Sequence, residues 1–257
     1  MISVVIPSHN DLYLRETVAS VLDNAVGDVE VVVTLDGYDT EVSTDPRVVV
    51  VRHPENRGMR EAINSAVFAS SGEYIMRLDE HCMMAPGWDA ALLVEMEDSW
   101  VVIPRRYKLD PVTWTRMDDR PVDYEKLLVL ERDGWKKFAG VEWKRRARER
   151  ESILVDETMA FQGSCYLMAR TWWDTVVGPL QTEGYGPLYQ DSTEISFKTW
   201  ESGGKIMTCK RTWYAHKHRS FNRTHHYPVR RAKPEWEWTL ARWANNYERV
   251  REQWGIS

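Results

Sequence analysis

The sequence predicts an α/β fold: a mostly parallel sheet flanked by helices, followed by a C-terminal helix. Three observations predict it. Short Val/Ile-rich runs recur without the polar alternation of a half-solvated sheet. Amphipathic helical periods separate these runs. Polar residues cluster where the runs end, and the carboxyl ends of parallel strands are where such sheets bind ligands.

The elements follow in order. Ile2–Ile6 is a continuous apolar strand. Pro7-Ser8-His9-Asn10-Asp11 is a loop that caps a helix over about Leu12–Asn24. Val29–Leu35 is a second buried strand that stops at Asp36-Gly37, and Val48–Arg52 is a third. A helix over about Met59–Ser70 ends before Gly72, and the strand from Tyr74 runs into Asp79-Glu80-His81. Trp88–Met96 reads as a helix and Trp100–Arg105 as a strand. From about Tyr107 to Glu157 periodicity is lost and charge is dense, the pattern of an insertion or a mobile acceptor-side region. Phe161–Met168 is apolar again and contains Gly163-Ser164, small enough for a ligand to approach the backbone. Asp191 and Ser192 offer N-caps for a helix over about Thr193–Ser202, closed by Gly203-Gly204. After Pro234, the residues Trp236, Leu240, Trp243, Tyr247, Val250 and Trp254 form one apolar helical stripe, read as packing.

A chain of 257 residues, 43% hydrophobic and 28% charged, can bury a large core. It has no apolar run long enough to span a bilayer and no signal-peptide pattern at its start. Its three cysteines show no disulfide or zinc spacing, so a cytoplasmic location is expected. The net charge of −5 is unevenly distributed. Nine Lys/Arg and no Asp/Glu lie between Lys205 and Lys233, which leaves the rest of the chain at −14. A run this one-sided points to an anionic partner, or else to a solvated loop.

The triplet Asp79-Glu80-His81 carries the chemistry. In extended backbone, residues two apart share a face, so Asp79 and His81 are expected to point together and Glu80 away. A carboxylate and an imidazole converging at a strand end make half of a divalent-metal site, or an ordinary polar turn.

Around this triplet the chain resembles nucleotide-sugar glycosyltransferases of the GT-A (Rossmann-like) fold. Ser3-Val4-Val5-Ile6-Pro7-Ser8-His9-Asn10, Asn56-Arg57-Gly58-Met59 and Ser71-Gly72-Glu73-Tyr74-Ile75 are similar to the large bacterial inverting family. Leu78-Asp79-Glu80-His81-Cys82 with Gly87-Trp88 resembles the Asp-x-His metal motif of the polypeptide N-acetylgalactosaminyltransferases. Thr193-Glu194-Ile195-Ser196-Phe197-Lys198, with Trp200 and Gly203-Gly204, resembles a helix of the same family, and Ala215-His216-Lys217-His218-Arg219 resembles their His-x-x-Arg segment. The resemblance covers about residues 2–105 and 160–220.

It implies a metal-dependent glycosyltransferase. Asp79, His81 and His216 would bind Mn²⁺ (or Mg²⁺), and mixed carboxylate/imidazole ligation suits Mn²⁺ better. The donor would be a nucleotide-sugar, with a family-level lean to a UDP-sugar. Pro7, His9, Asp36, Arg60, Asp79 and Arg219 are the expected donor-contacting set, with Arg219 near the diphosphate and Asp36 near the base and ribose. Asp191 would be the general base of an inverting reaction, or an N-cap; a retaining enzyme would need no such base. Glu194 would support the site or contact the acceptor. The chain is read as one domain over 1–257. Residues 1–105 form its nucleotide-sugar-binding half, 106–160 an insertion, 161–233 the acceptor and metal half, and 234–257 the C-terminal helix.

The acceptor is expected from the 205–233 basic segment, whose Trp213, Tyr214, Phe221 and Tyr227 interleave with its cations. That is the footprint of nucleic-acid binding. It favours a hydroxymethylated pyrimidine in DNA over a protein or glycan. A nucleotidyltransferase would want a Gly-rich phosphate loop after the first strand, and none is found. A non-catalytic nucleic-acid-binding protein would leave the Asp79/His81 pair unexplained.

Overall fold

The computed structural model describes residues 1–132, 134–186, 190–218 and 233–256. The strands are β1 (Ile2–Ser8), β2 (Val29–Asp36), β3 (Val48–His53), β4 (Tyr74–Leu78), β5 (Cys82–Met84), β6 (Trp100–Asp110), β7 (Thr115–Arg116), β8 (Glu125–Arg132), β9 (Trp135–Glu142), β10 (Val155–Glu157), β11 (Cys165–Ala169) and β12 (Lys205–His216). The helices are α1 (Leu14–Asn24), α2 (Met59–Ala69), α3 (Trp88–Leu93), α4 (Lys144–Glu149), α5 (Arg170–Trp172), α6 (Asp191–Glu201) and α7 (Lys233–Gln253).

The main sheet runs β10-β12-β6-β11-β4-β1-β2-β3. β1 pairs in parallel with β2 and β4, β2 with β3, and β6 with β12, while β11 runs antiparallel to both β4 and β6. The carboxyl ends of β1, β2, β4, β6 and β12 therefore share one edge with the amino end of β11. The register of β12 shifts between Cys209 and Trp213, and its far end pairs with β5, so that His216 lies opposite Cys82. A bulge of this kind re-aims a strand and its side chains. Here it brings His216 next to His81.

Alternation along β1 separates the two faces of the sheet. Ile2, Val4 and Ile6 join a core with α1 and α3, including Leu14, Val18 and the fully buried Trp88. Val5 faces a second core with Ile63 and Ala66 of α2, Ile195 of α6 and Trp173. Among the described residues no helix is long and apolar enough to cross a membrane.

The 107–157 stretch is ordered secondary structure, contrary to the loss of periodicity in its sequence. β6 continues to Asp110, and β8 and β9 form a two-stranded hairpin. The hairpin and α4 give Tyr124, Leu127, Phe138, Trp143 and Ala147 to a third core with Trp243, Tyr247 and Val250 of α7 and Phe197 of α6. Two-sided packing of short elements against α7 hides their periodicity in the sequence. The expected stripe of α7 does pack, and Thr239 is buried with it. Asp191 is the first residue of α6, not its N-cap; Gln190 holds the cap position in left-handed backbone at φ 61°.

Trp243 anchors the third core. It is 2% exposed, stacks on Phe197 at 4.8 Å, and donates its indole N–H to the Tyr185 hydroxyl at 2.7 Å. Trp243→Ala is expected to lower unfolding stability by about 3–5 kcal/mol. Urea denaturation measures this, and a loss under about 1 kcal/mol would mean that α7 contributes little to the fold.

Candidate active site

One cavity of about 620 Å³ opens at the shared edge of the sheet. Its wall includes Pro7, His9, Asp11, Asp36, Arg77, Asp79, Glu80, His81, Arg106, Glu125, Asp191, His216 and Lys217. A separate groove of about 720 Å³ beside α2, lined by Val51, Phe68 and Trp173, holds none of the predicted site residues.

Three ligand atoms converge in the cavity. His216 Nε2 lies 3.1 Å from Asp79 Oδ2 and 3.1 Å from His81 Nε2, and His81 Nε2 lies 3.9 Å from the same carboxylate oxygen. For ligand bonds of about 2.1 Å, neighbouring donors in a tetrahedral or octahedral shell are separated by roughly 3.0–3.4 Å. The two contacts of His216 fall in that range, the His81–Asp79 separation of 3.9 Å is wider, and the donor chemistry suits a divalent cation. Burial pushes His216 down to about 3, so its imidazole is neutral and keeps a lone pair for a cation. Asp79 is partly buried, which opposes ionisation, but Arg77 and His216 hold its carboxyl far below the usual range.

Arg77 forms the floor. It is 2% exposed on β4, and its guanidinium donates to Asp79 Oδ1 at 2.6 Å and to the Gly163 carbonyl. Its Nε lies 4.0 Å from Asp191 Oδ2. The Asp191 carboxylate in turn rests on Gly163, where an added Cβ would stand 2.4 Å from Oδ1. The small residue admits this carboxylate against the backbone, the place where the sequence suggested a ligand. Burial raises the Asp191 pKa, and the Arg77 and Arg60 charges oppose that rise.

Several expectations are corrected. Glu80 does not point away, because the strand ends at Leu78 and the triplet is a turn, so alternation no longer applies. Its carboxylate accepts from the Ser8 hydroxyl and from the His9 backbone N–H at 3.0 Å. Burial and the neighbouring Asp11 push it up to about 7. Arg60 and Glu194 are not at the cavity wall. Both are wholly buried and paired with each other, joining α2 to α6, and Glu194 also meets Lys198 Nζ at 2.7 Å. Asp36 lines the cavity, but its carboxylate accepts from His53 Nδ1 at 2.7 Å and from the backbone N–H groups of Arg57 and Gly58, each at 2.8 Å. It anchors the loop leading into α2, and only one of about four acceptor positions is left for a ligand. His9 stays at the wall, its Nδ1 2.7 Å from the Asp36 carbonyl. Arg219 lies outside the described residues.

The structure adds residues that the sequence reading passed over. Asp11 and Lys217 stand beside His81, and Arg77 pairs with Asp79. Arg106 reaches into the cavity with Glu125 at 2.7 Å and Gln162 as partners. Asp11 ends the loop after the first strand, one residue past the quoted motif, and was read only as part of a helix-capping loop. Arg106 and Glu125 lie in the stretch read as an insertion, and no local signal marked them.

The described part of the basic segment forms no single cationic face. Lys210 is buried against the carbonyls of Arg150 and Glu151, at 2.6 and 3.1 Å. Arg211 pairs with Glu95, and Lys217 faces Asp11.

Comparison with known proteins follows the same pattern. The family model described as glycosyl transferase family 2 matches residues 3–173. Mouse polypeptide N-acetylgalactosaminyltransferase 12 is 26% identical over 234 residues, covering 80% of this chain and 38% of that protein. The rat polypeptide N-acetylgalactosaminyltransferase 13 is 26% identical over 227 residues, covering 80% and 40%. The chain thus spans about two fifths of the length of the curated relatives it matches. Among solved structures, GalNAc-T7 with UDP, GalNAc and Mn²⁺ superposes with a TM-score of 0.70 at 21% identity, over 98% of this chain and 48% of that one. S. aureus TarS 1–349 gives 0.56 at 14% identity, over 84% and 60%. The fold is GT-A, as the sequence motifs implied.

Two outcomes test this geometry. Arg60→Met leaves Glu194 buried without its main partner and is expected to cost about 3–5 kcal/mol, whereas the double variant with Glu194→Leu loses much less. Chemical denaturation of the single and double variants checks it, and equal losses would mean that the pair is not coupled. Gly163→Ala is expected to displace the Asp191 carboxylate and reduce activity without unfolding the protein, as read by turnover beside a melting curve.

Proposed function

The chain belongs to glycosyl transferase family 2, and from that premise we propose that it moves a sugar from a nucleoside-diphosphate donor, a UDP-sugar, to a hydroxyl of a polypeptide. The single observation that carries the reading is the convergence of Asp79, His81 and His216 at the carboxyl edge of the sheet. The GalNAc-T7 structure of the same fold, which contains UDP, GalNAc and Mn²⁺, supports Mn²⁺ and a UDP-sugar as the partners of this edge.

Asp79, His81 and His216 would hold the cation. When bound, a divalent ion there neutralises charge developing on the departing diphosphate. The rest is done by the chain's own residues. Pro7, His9 and Asp36 border the donor side of the cavity. Lys217 adds a fixed positive charge beside the ligand cluster. Arg77 keeps one oxygen of Asp79 occupied and leaves the other facing the two imidazoles. Asp191, held in place by Gly163 and Arg77, is the group positioned to receive the proton of the acceptor hydroxyl. If the transfer retains configuration, Asp191 orients the acceptor instead, and the anomeric configuration of the product decides between the two roles. We also read residues 1–257 as one catalytic domain.

The choice of acceptor rests on the relatives, since the cavity wall must take the donor's diphosphate whichever acceptor is used. The named relatives are polypeptide transferases, and nothing in the described part of the basic segment favours DNA.

The test is UDP release and sugar transfer with Mn²⁺, across UDP-sugars, to Ser/Thr peptides and to hydroxymethylated DNA. Transfer to peptide is expected; transfer to DNA alone, weakening steeply as salt rises, would restore the nucleic-acid reading. Asp79→Ala and His81→Ala are expected to lose at least about 100-fold in turnover. Full turnover in either variant would remove the proposed cation site.

A further inference from the structure

His81 faces two ways, and only one side belongs to the ligand cluster. Its Nε2 looks toward His216 and Asp79, at 3.1 and 3.9 Å. Its Nδ1 lies 3.2 Å from Asp11 Oδ2, on the loop that leaves β1. That is an ion-pair separation, longer than a charge-assisted hydrogen bond, and the ring N–H is not aligned on the oxygen. An imidazole with its proton on Nδ1 carries its lone pair on Nε2, and the opposite tautomer would aim an N–H at the ligand cluster.

Asp11 is itself held on several sides. Its Oδ1 accepts the Tyr13 backbone N–H at 2.9 Å, at the entrance to α1. The Lys217 ammonium is 4.0 Å from Oδ2 and sits 4.5 Å above the Tyr13 ring. The Lys217 backbone N–H donates to the His81 carbonyl at 3.2 Å, so the same two residues hold both the main chain and the ring of His81. Glu80 also lies near His81, but its oxygens are engaged by the Ser8 hydroxyl and the His9 backbone N–H. Asp11 is the carboxylate at ion-pair distance from Nδ1.

We propose that Asp11 is a positioning residue that fixes His81 with its proton on Nδ1, so that the Nε2 lone pair faces the site shared with Asp79 and His216. The inference rests on the reading of those three residues as cation ligands. It joins the β1–α1 loop, which borders the donor side, to the orientation of a ligand on the β4–β5 turn. A carboxylate behind a metal-ligating imidazole fixes the tautomer and raises ligand basicity, and losing such a partner weakens metal binding about 10–100-fold.

The experiment is a Mn²⁺ titration of the whole chain, following the loss of the free-ion electron paramagnetic resonance signal, without donor or acceptor. Asp11→Ala is expected to bind Mn²⁺ about 10–100-fold more weakly. Asp11→Asn keeps an oxygen able to accept from Nδ1–H and a partner for the Tyr13 N–H, and is expected to recover most of that loss. Melting curves for each variant identify one that fails to fold, in which case Asp11→Asn and Lys217→Met carry the test. Lys217→Met removes a positive charge beside the site and leaves Asp11 in place, so it is expected to bind Mn²⁺ at least as tightly as the wild type, and a loss as large as that of Asp11→Ala would overturn the proposal. Folded Asp11→Ala that binds Mn²⁺ like the wild type, while His81→Ala does not, would overturn the role of Asp11 alone. Asp11→Asn losing Mn²⁺ as completely as His81→Ala would make Asp11 a ligand, which also overturns it. Unchanged binding in His81→Ala and Asp79→Ala would instead defeat the underlying cation site.

Discussion

The buried guanidinium of Arg77 is the charge on which the centre of the cavity depends. It leaves β4 beneath the turn that carries Asp79 and His81, with Asp79 on one side and Asp191 on the other. Asp191 is buried and Asp79 partly so, and carboxylates in such places resist ionisation unless a cation compensates them. Arg77 supplies that compensation from within the sheet, and the Gly163 carbonyl fixes its other end. Asp79 can then stay anionic with one oxygen free, and Asp191 can lie flat on Gly163. The chemistry proposed for this edge needs both carboxylates in those positions.

The sheet order places everything else around this point. β11 runs antiparallel beside β4, so its amino end, Gly163 and Ser164, arrives where the parallel strands finish. The bulged end of β12 folds over β5 and delivers His216 and Lys217 to the same spot. Residues more than 130 positions apart, Asp79 and His216, become neighbours through backbone pairing and not through a local motif. α2 and α6 are locked behind the site by the Arg60–Glu194 pair, which ties the donor-side helix to the helix that begins at Asp191.

Much of this was legible in the sequence. Val/Ile runs reported β1 and β2 because strands covered on both faces need apolar residues on both sides. The pairing of Asp79 with His81 and the distant His216 was readable from the order of motifs. Other residues were misread for physical reasons. Glu80 was assigned by strand alternation, which stops applying once the backbone turns after Leu78. Arg60 was taken for a donor contact and Glu194 for a residue that supports the site or meets the acceptor, and no sequence rule shows that two helices bury them against each other. β8 and β9 were missed because their apolar residues pack on α7, more than 100 residues later. The basic run from Lys205 was read as one surface, whereas Lys210 and Arg211 leave their strand toward different partners.

The central claim is that one cation is held by Asp79 and two imidazoles. Electron spin echo modulation of bound Mn²⁺ tests it most directly, because the technique counts coordinated histidine nitrogens. The account predicts two such nitrogens in the wild-type protein and one in His216→Ala. Mn²⁺ bound with no histidine nitrogen, or an unchanged count in His216→Ala, would contradict it.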